Sequence, residues 1–240
     1  MKILSLEETD STNIYAKKHL AELEDCTVIS SRRQTAGRGR LNRSWLDLGE
    51  GNIFVSIVLK PSASFNKNFV NLTQFLSVCI CKTLELYGLK TEIKWPNDVN
   101  INGKKIAGIL SETVMQGASL KGIVLGFGIN VTASAEDVKK VTDKEVTSLS
   151  IELSRNAPDK NEFLTNLLNI FFGDYNKFME EGFCFIKHDY LSRISFLGKE
   201  ISVKLPNELK CGVAESIDDE GALHLKDNNE VFVLTIGDII

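Results

Sequence analysis

The hydrophobic pattern of the chain breaks into elements before composition is considered. IYAKKHLAEL, beginning at Ile14, has helical spacing. The Asp10-Ser11-Thr12-Asn13 run ahead of it supplies cap-forming side chains, so a helix is expected to start near Thr12. TVISS (27–31) reads as a strand, residues 32–49 as a long glycine-bearing loop, and NIFVSIVLK (52–60) as an apolar strand stopped by Pro61. Residues 68–88 predict a largely buried helix ending at Gly88, and TEIKW a short strand before Pro96. Asn102-Gly103, between VNI and KKIAGILSETV, is the favoured pair for a two-residue hairpin turn. GIVLGFGINV (122–131) is another apolar strand, and residues 158–181 and 184–193 read as helices. From Phe196 the texture changes. SFLGKEISVKL, KCGVAESID, GALHLKD and EVFVLTI are short strands between PNE, DDEG and DNN turns, which predicts a small β-barrel. The expected domains are residues 1–194 and 195–240.

Composition narrows function more than fold. A chain of 240 residues with 43% hydrophobic and 25% charged positions is an ordinary globular protein. The net charge is -4, so bulk electrostatics do not favour nucleic acid. Work on anions must come from a local basic site, and Arg32, Arg33, Arg38, Arg40 and Arg43 form one. The five cysteines are odd in number and irregular in spacing, which predicts reduced thiols in a cytoplasmic protein. His19, His188 and His224 are isolated, so no metal-ligand cluster is expected from them. No signal peptide is expected from the start, MKILSLEETD. No apolar run approaches the roughly 20 residues of a membrane span, so no membrane partner is expected.

Four stretches carry candidate chemistry. In QTAGRGRLNRSW (34–45), glycines permit positive φ and close approach, while arginines grip carboxylate or phosphate. Trp45 could stack on a base, and a solvated basic loop is the alternative. In KWPNDVNINGKKIAGILSE (94–112), alternation about the turn groups Lys104 with Val99, Ile101 and Ile106. Lys105 falls on the other face with Asp98, Asn100 and Ala107. An acid and a lysine together suit a metal–phosphate and a carboxylate, whereas a surface ion pair is the plain alternative. Gly108 fits close approach of a ligand or a second backbone. LGFGIN (125–130) holds G-x-G but Val131 where a dinucleotide fingerprint needs glycine, and no P-loop occurs. Its glycines either admit neighbours or mark a strand end presenting Asn130 to a nucleotide. DSTN is either a plain helix cap or a site for a small polar head group.

Taken in order, D-S-T-N (10–13), Q-T-A-G-R-G-R (34–40), R-S-W (43–45), K-W-P-N-D (94–98), G-K-K-I-A-G-I-L (103–110) and G-F-G-I-N (126–130) resemble a biotin–protein ligase over nearly the whole chain. The resemblance implies an α+β fold, with a mixed-sheet class II tRNA-synthetase-like catalytic domain and a C-terminal SH3-like barrel. It implies a ligase that adenylates biotin to biotinyl-5′-AMP with ATP and Mg2+, then transfers biotin to a lysine of a biotin carboxyl carrier protein such as an acetyl-CoA carboxylase subunit. Ser11, Thr12, Asn13 and Gln34 resemble the residues that hold the biotin head. Gly37, Arg38, Gly39 and Arg40 resemble the loop closing over biotin and adenylate, with Gly108 beside them. Lys105, with Arg38 and Arg40, resembles the catalytic group at the reacting carboxylate and phosphate. Arg40, Arg43, Trp45, Lys94, Asn97 and Asn130 resemble the nucleotide side, and Asp98 the magnesium ligand. Many relatives have glycine where Asn42 stands, and asparagine tolerates a left-handed turn there. Some relatives carry an N-terminal helix-turn-helix. Only nine residues precede Asp10, so no DNA partner is expected. A monomer or homodimer is expected. The alternatives are a lipoate–protein ligase-like enzyme and an arginine-loop nucleic-acid-binding module.

Overall fold

The computed structural model describes residues 2–60, 66–154, 157–228 and 230–240. Pro61, expected to stop the 52–60 strand, lies outside the described residues. In chain order the elements are β1 (Lys2–Thr9), α1 (Thr12–Lys18), β2 (Thr27–Gln34), β3 (Ile53–Leu59), α2 (Leu72–Glu85), β4 (Glu92–Lys94), β5 (Asp98–Ile101), β6 (Lys104–Gln116) and β7 (Ser119–Ile129). There follow α3 (Ala135–Val138), α4 (Leu149–Leu153), α5 (Lys160–Glu181), α6 (Phe183–Leu191), β8 (Glu200–Lys204), β9 (Leu209–Ile217), β10 (Leu223–Asp227), β11 (Glu230–Leu234) and β12 (Asp238–Ile239). The chain forms two compact units, Met1–Asn66 with Gly103–Leu168 and Lys67–Asn102 with Asn169–Ile240.

In the first unit the strands lie in the order β1-β2-β3-β7-β6. β1 runs parallel to β2, and the remaining pairs are antiparallel, so the sheet is mixed. β3 is buried at every residue, which accounts for its unbroken apolar run. α1 lays Ala16 and the following Leu20 against Ile29, Val58 and Val124. Burying a leucine of this kind stabilises by about 1.5–3 kcal/mol. The sequence pattern predicts no strand over 2–9. β1 has a neighbour on one side only within this unit, and Ile3 stays 48% exposed, so its alternation is blunted. At the expected hairpin turn, Asn102 and Gly103 both take positive φ, 52° and 76°, as a two-residue primed turn requires.

The second unit packs α2 against the later helices. Phe75 stacks on Phe178 with centroids 4.3 Å apart and meets Phe171 at 5.1 Å. Arg193 grips Glu85 with both Nε and Nη2, at 2.8 and 2.7 Å. Its five short strands form the expected small barrel, in the antiparallel order β11-β10-β9-β8-β12.

Candidate active site

The site in the first unit grows from the turn between β1 and α1. Ser11 sits at the cap position with extended backbone, φ −158°, but its hydroxyl caps nothing. The helix's first amide finds a distant partner instead. Gln34 Oε1 accepts from Thr12 N–H at 2.8 Å and from Thr12 Oγ1 at 3.2 Å. The plain cap is therefore not what DSTN forms. Buried Ser56 on β3 continues the network, with its hydroxyl 2.8 Å from Thr12 Oγ1 and 2.6 Å from Asn13 Oδ1. The other end of the Asn13 amide donates to Glu112 Oε2 at 2.9 Å and to the Leu110 carbonyl at 3.3 Å. Ser11, Thr12 and Asn13 are all buried, so this polar cluster is held in place by mutual satisfaction.

Glu112 joins the α1 residues to the arginine loop. Its Oε1 accepts from Lys17 Nζ at 2.6 Å and lies 3.9 Å from Arg38 Nη1. Burial alone would raise this carboxyl. The hydrogen bonds from Lys17 and Asn13, with the charges of Lys17 and Arg38, outweigh burial and hold it below the ordinary value of 4.5. A depressed carboxyl adds stability above its unfolded pKa, and that contribution is lost as pH falls through the folded one. Glu112→Gln should therefore remove a stability increment near neutrality that wild type itself loses as pH falls below the ordinary carboxyl value of 4.5 and through the depressed folded one. Urea unfolding of both proteins across that range is the check, and a pH-independent difference would contradict the assignment.

The loop is a closed hairpin in its own right. Trp45 N–H donates to the Gly37 carbonyl at 2.9 Å and Gly39 N–H to the Arg43 carbonyl at 2.7 Å, with Arg38 bridged to Ser44. Asp47 anchors its base by accepting from Gln34 N–H and Gly49 N–H, at 3.0 and 2.8 Å. Of the two uses expected of the loop glycines, positive φ and close approach, Gly37 and Gly39 do not take the first. The left-handed residue is Leu41, at φ 51°. A Cβ on Gly37 would collide with the Trp45 carbonyl, so that glycine serves close approach.

The G-F-G motif also serves close approach. Gly108 on β6 pairs with Gly128 on β7, and the Trp45 indole lies directly on this bare strip. A Cβ at Gly108 would stand 2.8 Å from Trp45 and 2.8 Å from Lys105 Nζ. Gly126 makes the corresponding space for the Asn13 amide. Lys105 Nζ lies 5.5 Å from the Trp45 ring centroid, within cation–π range. Strict alternation groups Lys105 with Ala107, yet its ammonium reaches the space beside Gly108. The missing Cβ and the four-carbon stem allow that crossing. The Lys105 backbone is pinned as well, its N–H to the Glu145 carbonyl at 3.0 Å and its carbonyl to Thr147 N–H at 2.9 Å.

Asn130, expected at a nucleotide, is buried and donates to the Thr147 carbonyl at 3.0 Å. It thereby holds the 145–150 segment beside β6. It also lines a cavity of about 290 Å³ with Arg43, Trp45, Lys140, Lys144 and Val146. The structure thus brings together Ser11, Thr12, Asn13, Gln34, Gly37, Arg38, Trp45, Lys105, Gly108 and Asn130, with Gly39, Arg40 and Arg43 on the hairpin. Lys94, Asn97 and Asp98 belong to the second unit, where Lys94 and Asp98 are partners across β4 and β5. Sequence reasoning missed Ser56, Asp47, Glu112 and the lysines of 139–146. For Glu112 a signal existed, because alternation along β6 puts Gly108, Leu110 and Glu112 on one face.

The mixed sheet and the separate antiparallel sheet of short strands make up a fold that this chain shares with solved biotin protein ligases. The protein is similar to the biotin protein ligase from Aquifex aeolicus in complex with biotin and ATP, with TM-score 0.82, 27% identity, and coverage of 100% of this chain and 97% of that one. The Biotin/lipoate A/B protein ligase family matches residues 5–130, and the Biotin protein ligase C terminal domain matches residues 196–240. The chain belongs to the biotin/lipoate A/B protein ligase family. The biotin–[acetyl-CoA-carboxylase] ligase of Paracoccus denitrificans is 33% identical over 228 residues, 92% of each chain. The bifunctional ligase/repressor BirA of Bacillus spizizenii is 33% identical over 214 residues, 89% of this chain. The chain spans 65% of the length of that relative and of its Bacillus subtilis counterpart.

Proposed function

We propose that this protein is an ATP-dependent biotin–protein ligase that forms biotinyl-5′-AMP and transfers biotin to a lysine of a biotin carboxyl carrier protein, such as an acetyl-CoA carboxylase subunit. The observation that carries the proposal is the Thr12–Gln34–Ser56–Asn13 network, buried at Thr12, Asn13 and Ser56, beside the Lys105–Trp45–glycine strip. It sets amide and hydroxyl groups for a ureido head at one end and a cation for a carboxylate at the other. In the first step a carboxylate oxygen of biotin attacks the α-phosphorus of ATP and pyrophosphate departs. In the second the carrier lysine's amine attacks the acyl carbon and AMP departs. Both steps need positioning and charge stabilisation, not a nucleophile from the enzyme. Lys105, Arg38 and Arg40 supply that charge at the carboxylate and α-phosphate. Gly39 and Gly37 belong to the covering hairpin, and Arg43, Lys94 and Asn97 to the nucleotide side.

Magnesium fits one residue here. No group of three acid, histidine or cysteine side chains able to cage a metal exists among the described residues. A single Asp98 carboxylate beside substrate phosphates is the donor set that this ion accepts. When bound, it neutralises pyrophosphate charge. We place the protein in the cytoplasm, since all five cysteines are free thiols. No helix of the described residues is long and apolar enough to cross a membrane. A monomer or homodimer, with residues 1–194 as catalytic domain and 195–240 as barrel, completes the proposal.

Incubation with ATP, magnesium and an apo carrier domain, in parallel with biotin and with lipoate, tests the function. Avidin-detected labelling from biotin is the expected result, and lipoylation alone would replace it with the lipoate ligase. Arg40→Gly should release the adenylate about 10- to 100-fold faster, the worth of one charge-assisted hydrogen bond. Mass spectrometry should then find biotin on bystander lysines. Labelling confined to the carrier lysine would remove Arg40 from the tether.

A further inference from the structure

We propose that the barrel's turn at residues 218–222 is a strut for the K-W-P-N-D segment, with Gly221 and Trp95 as positioning residues for the nucleotide step. The nucleotide arm of this inference rests on the ligase function proposed above. All the contacts lie within the second unit. Trp95 is buried, and its Nε1 donates to the Gly221 carbonyl at 3.3 Å. The same carbonyl accepts from Gln74 Nε2 at 2.8 Å, and the neighbouring Glu220 carbonyl accepts from Asn71 Nδ2 at 2.8 Å. Asn71 and Gln74 are themselves buried and joined at 2.6 Å. Two successive turn carbonyls thus receive three side-chain donors, and one of those donors is the tryptophan of the motif.

The turn is shaped for this task. Asp218 Oδ1 accepts from Glu220 N–H and Ala222 N–H at 3.0 and 2.8 Å, while Oδ2 lies 3.0 Å from His224 Nε2. Gly221 takes φ +79°, and a Cβ there would fall 2.6 Å from Asn71 Nδ2 and 2.7 Å from Gln74 Oε1. Backbone conformation and space together therefore select glycine. The Trp95 side chain fixes the strand end from which Asn97 and Asp98 follow, with Asp98 paired to Lys94 across β4 and β5. The biotin-side cluster of Asn13, Gln34 and Lys105 uses none of these groups.

The experiment compares wild type, Trp95→Phe and Gly221→Ala. Trp95→Phe keeps a buried aromatic ring while removing the donor and part of the indole's volume, so it stays informative if Gly221→Ala fails to fold. KM for ATP is expected to rise about tenfold. Kd for biotin without ATP should stay within about twofold, since its residues are on other elements. Hydrogen exchange should quicken at residues 94–98 ahead of the rest of the chain, a readout that needs no ligase activity. Unchanged exchange at 94–98 would overturn the strut, as would an equal rise in both ligand constants. Absence of any reaction by wild type with biotin and ATP, alongside selective loosening of 94–98, would instead remove the ligase assignment and leave the strut standing.

Discussion

Lys105→Ala should slow pyrophosphate release from biotin and ATP by about 10²–10³-fold, the loss expected when one preorganised charge is removed from a developing oxyanion. Lys104→Ala should change it by less than about twofold. The two lysines are adjacent, similar in chemistry and opposite in circumstance. Lys104 is exposed at the turn. Lys105 has both backbone polar groups pinned to residues 145 and 147, and its ammonium lies in the Gly108 space beside the Trp45 ring. That pinning fixes where the charge stands before substrate arrives, which is what makes a charge catalytic. Steady-state pyrophosphate assays on both variants give the answer. Similar losses would mean that the charge of the hairpin, not the placement of one lysine, is what counts.

Gly126→Ala should weaken biotin binding by about 10²-fold or more, although it adds a single methyl group. The Cβ would occupy the place of the Asn13 amide. Asn13 has nowhere to retreat, because Ser56, the Leu110 carbonyl and Glu112 already surround it. Overpacking of this kind costs about 1–3 kcal/mol. Each buried polar group stripped of its partner adds about 1–3 kcal/mol more. Calorimetric titration with biotin, with a thermal melt to confirm folding, separates the binding loss from the stability loss. A Kd within about threefold of wild type in a folded protein would mean that Asn13 does not order the pocket.

These effects differ in how visible they were beforehand. The strand at 52–60, the helix at 68–88, the Asn102-Gly103 turn and the change of texture at Phe196 follow from local periodicity and turn chemistry, and the structure has each of them. Edge strand β1 escapes that logic because one flank is uncovered and little patterning is demanded of it. In the site, residue types were legible and their partners were not. Nothing local in D-S-T-N says that Thr12 will bond to Gln34, or that Asn13 will bond to Glu112 almost a hundred positions away. The same holds for Gly37 and Gly39. A glycine announces permitted backbone angles, but only the folded neighbour shows whether the angle or the missing side chain is used. Here the missing side chain is used at Gly37, and the unusual angle passes to Leu41.

The chain contains two tryptophans, and the structure gives each a separate vantage. Trp45 lies on the Gly108–Gly128 strip with its buried Nε1 lacking a partner, so a ligand acceptor arriving there changes its surroundings first. Trp95 is enclosed in the second unit and hydrogen-bonded to the barrel turn. Two single-tryptophan proteins would therefore each emit from one place. One would follow the hairpin as substrate enters, and the other would report on the strut, with no label added to either.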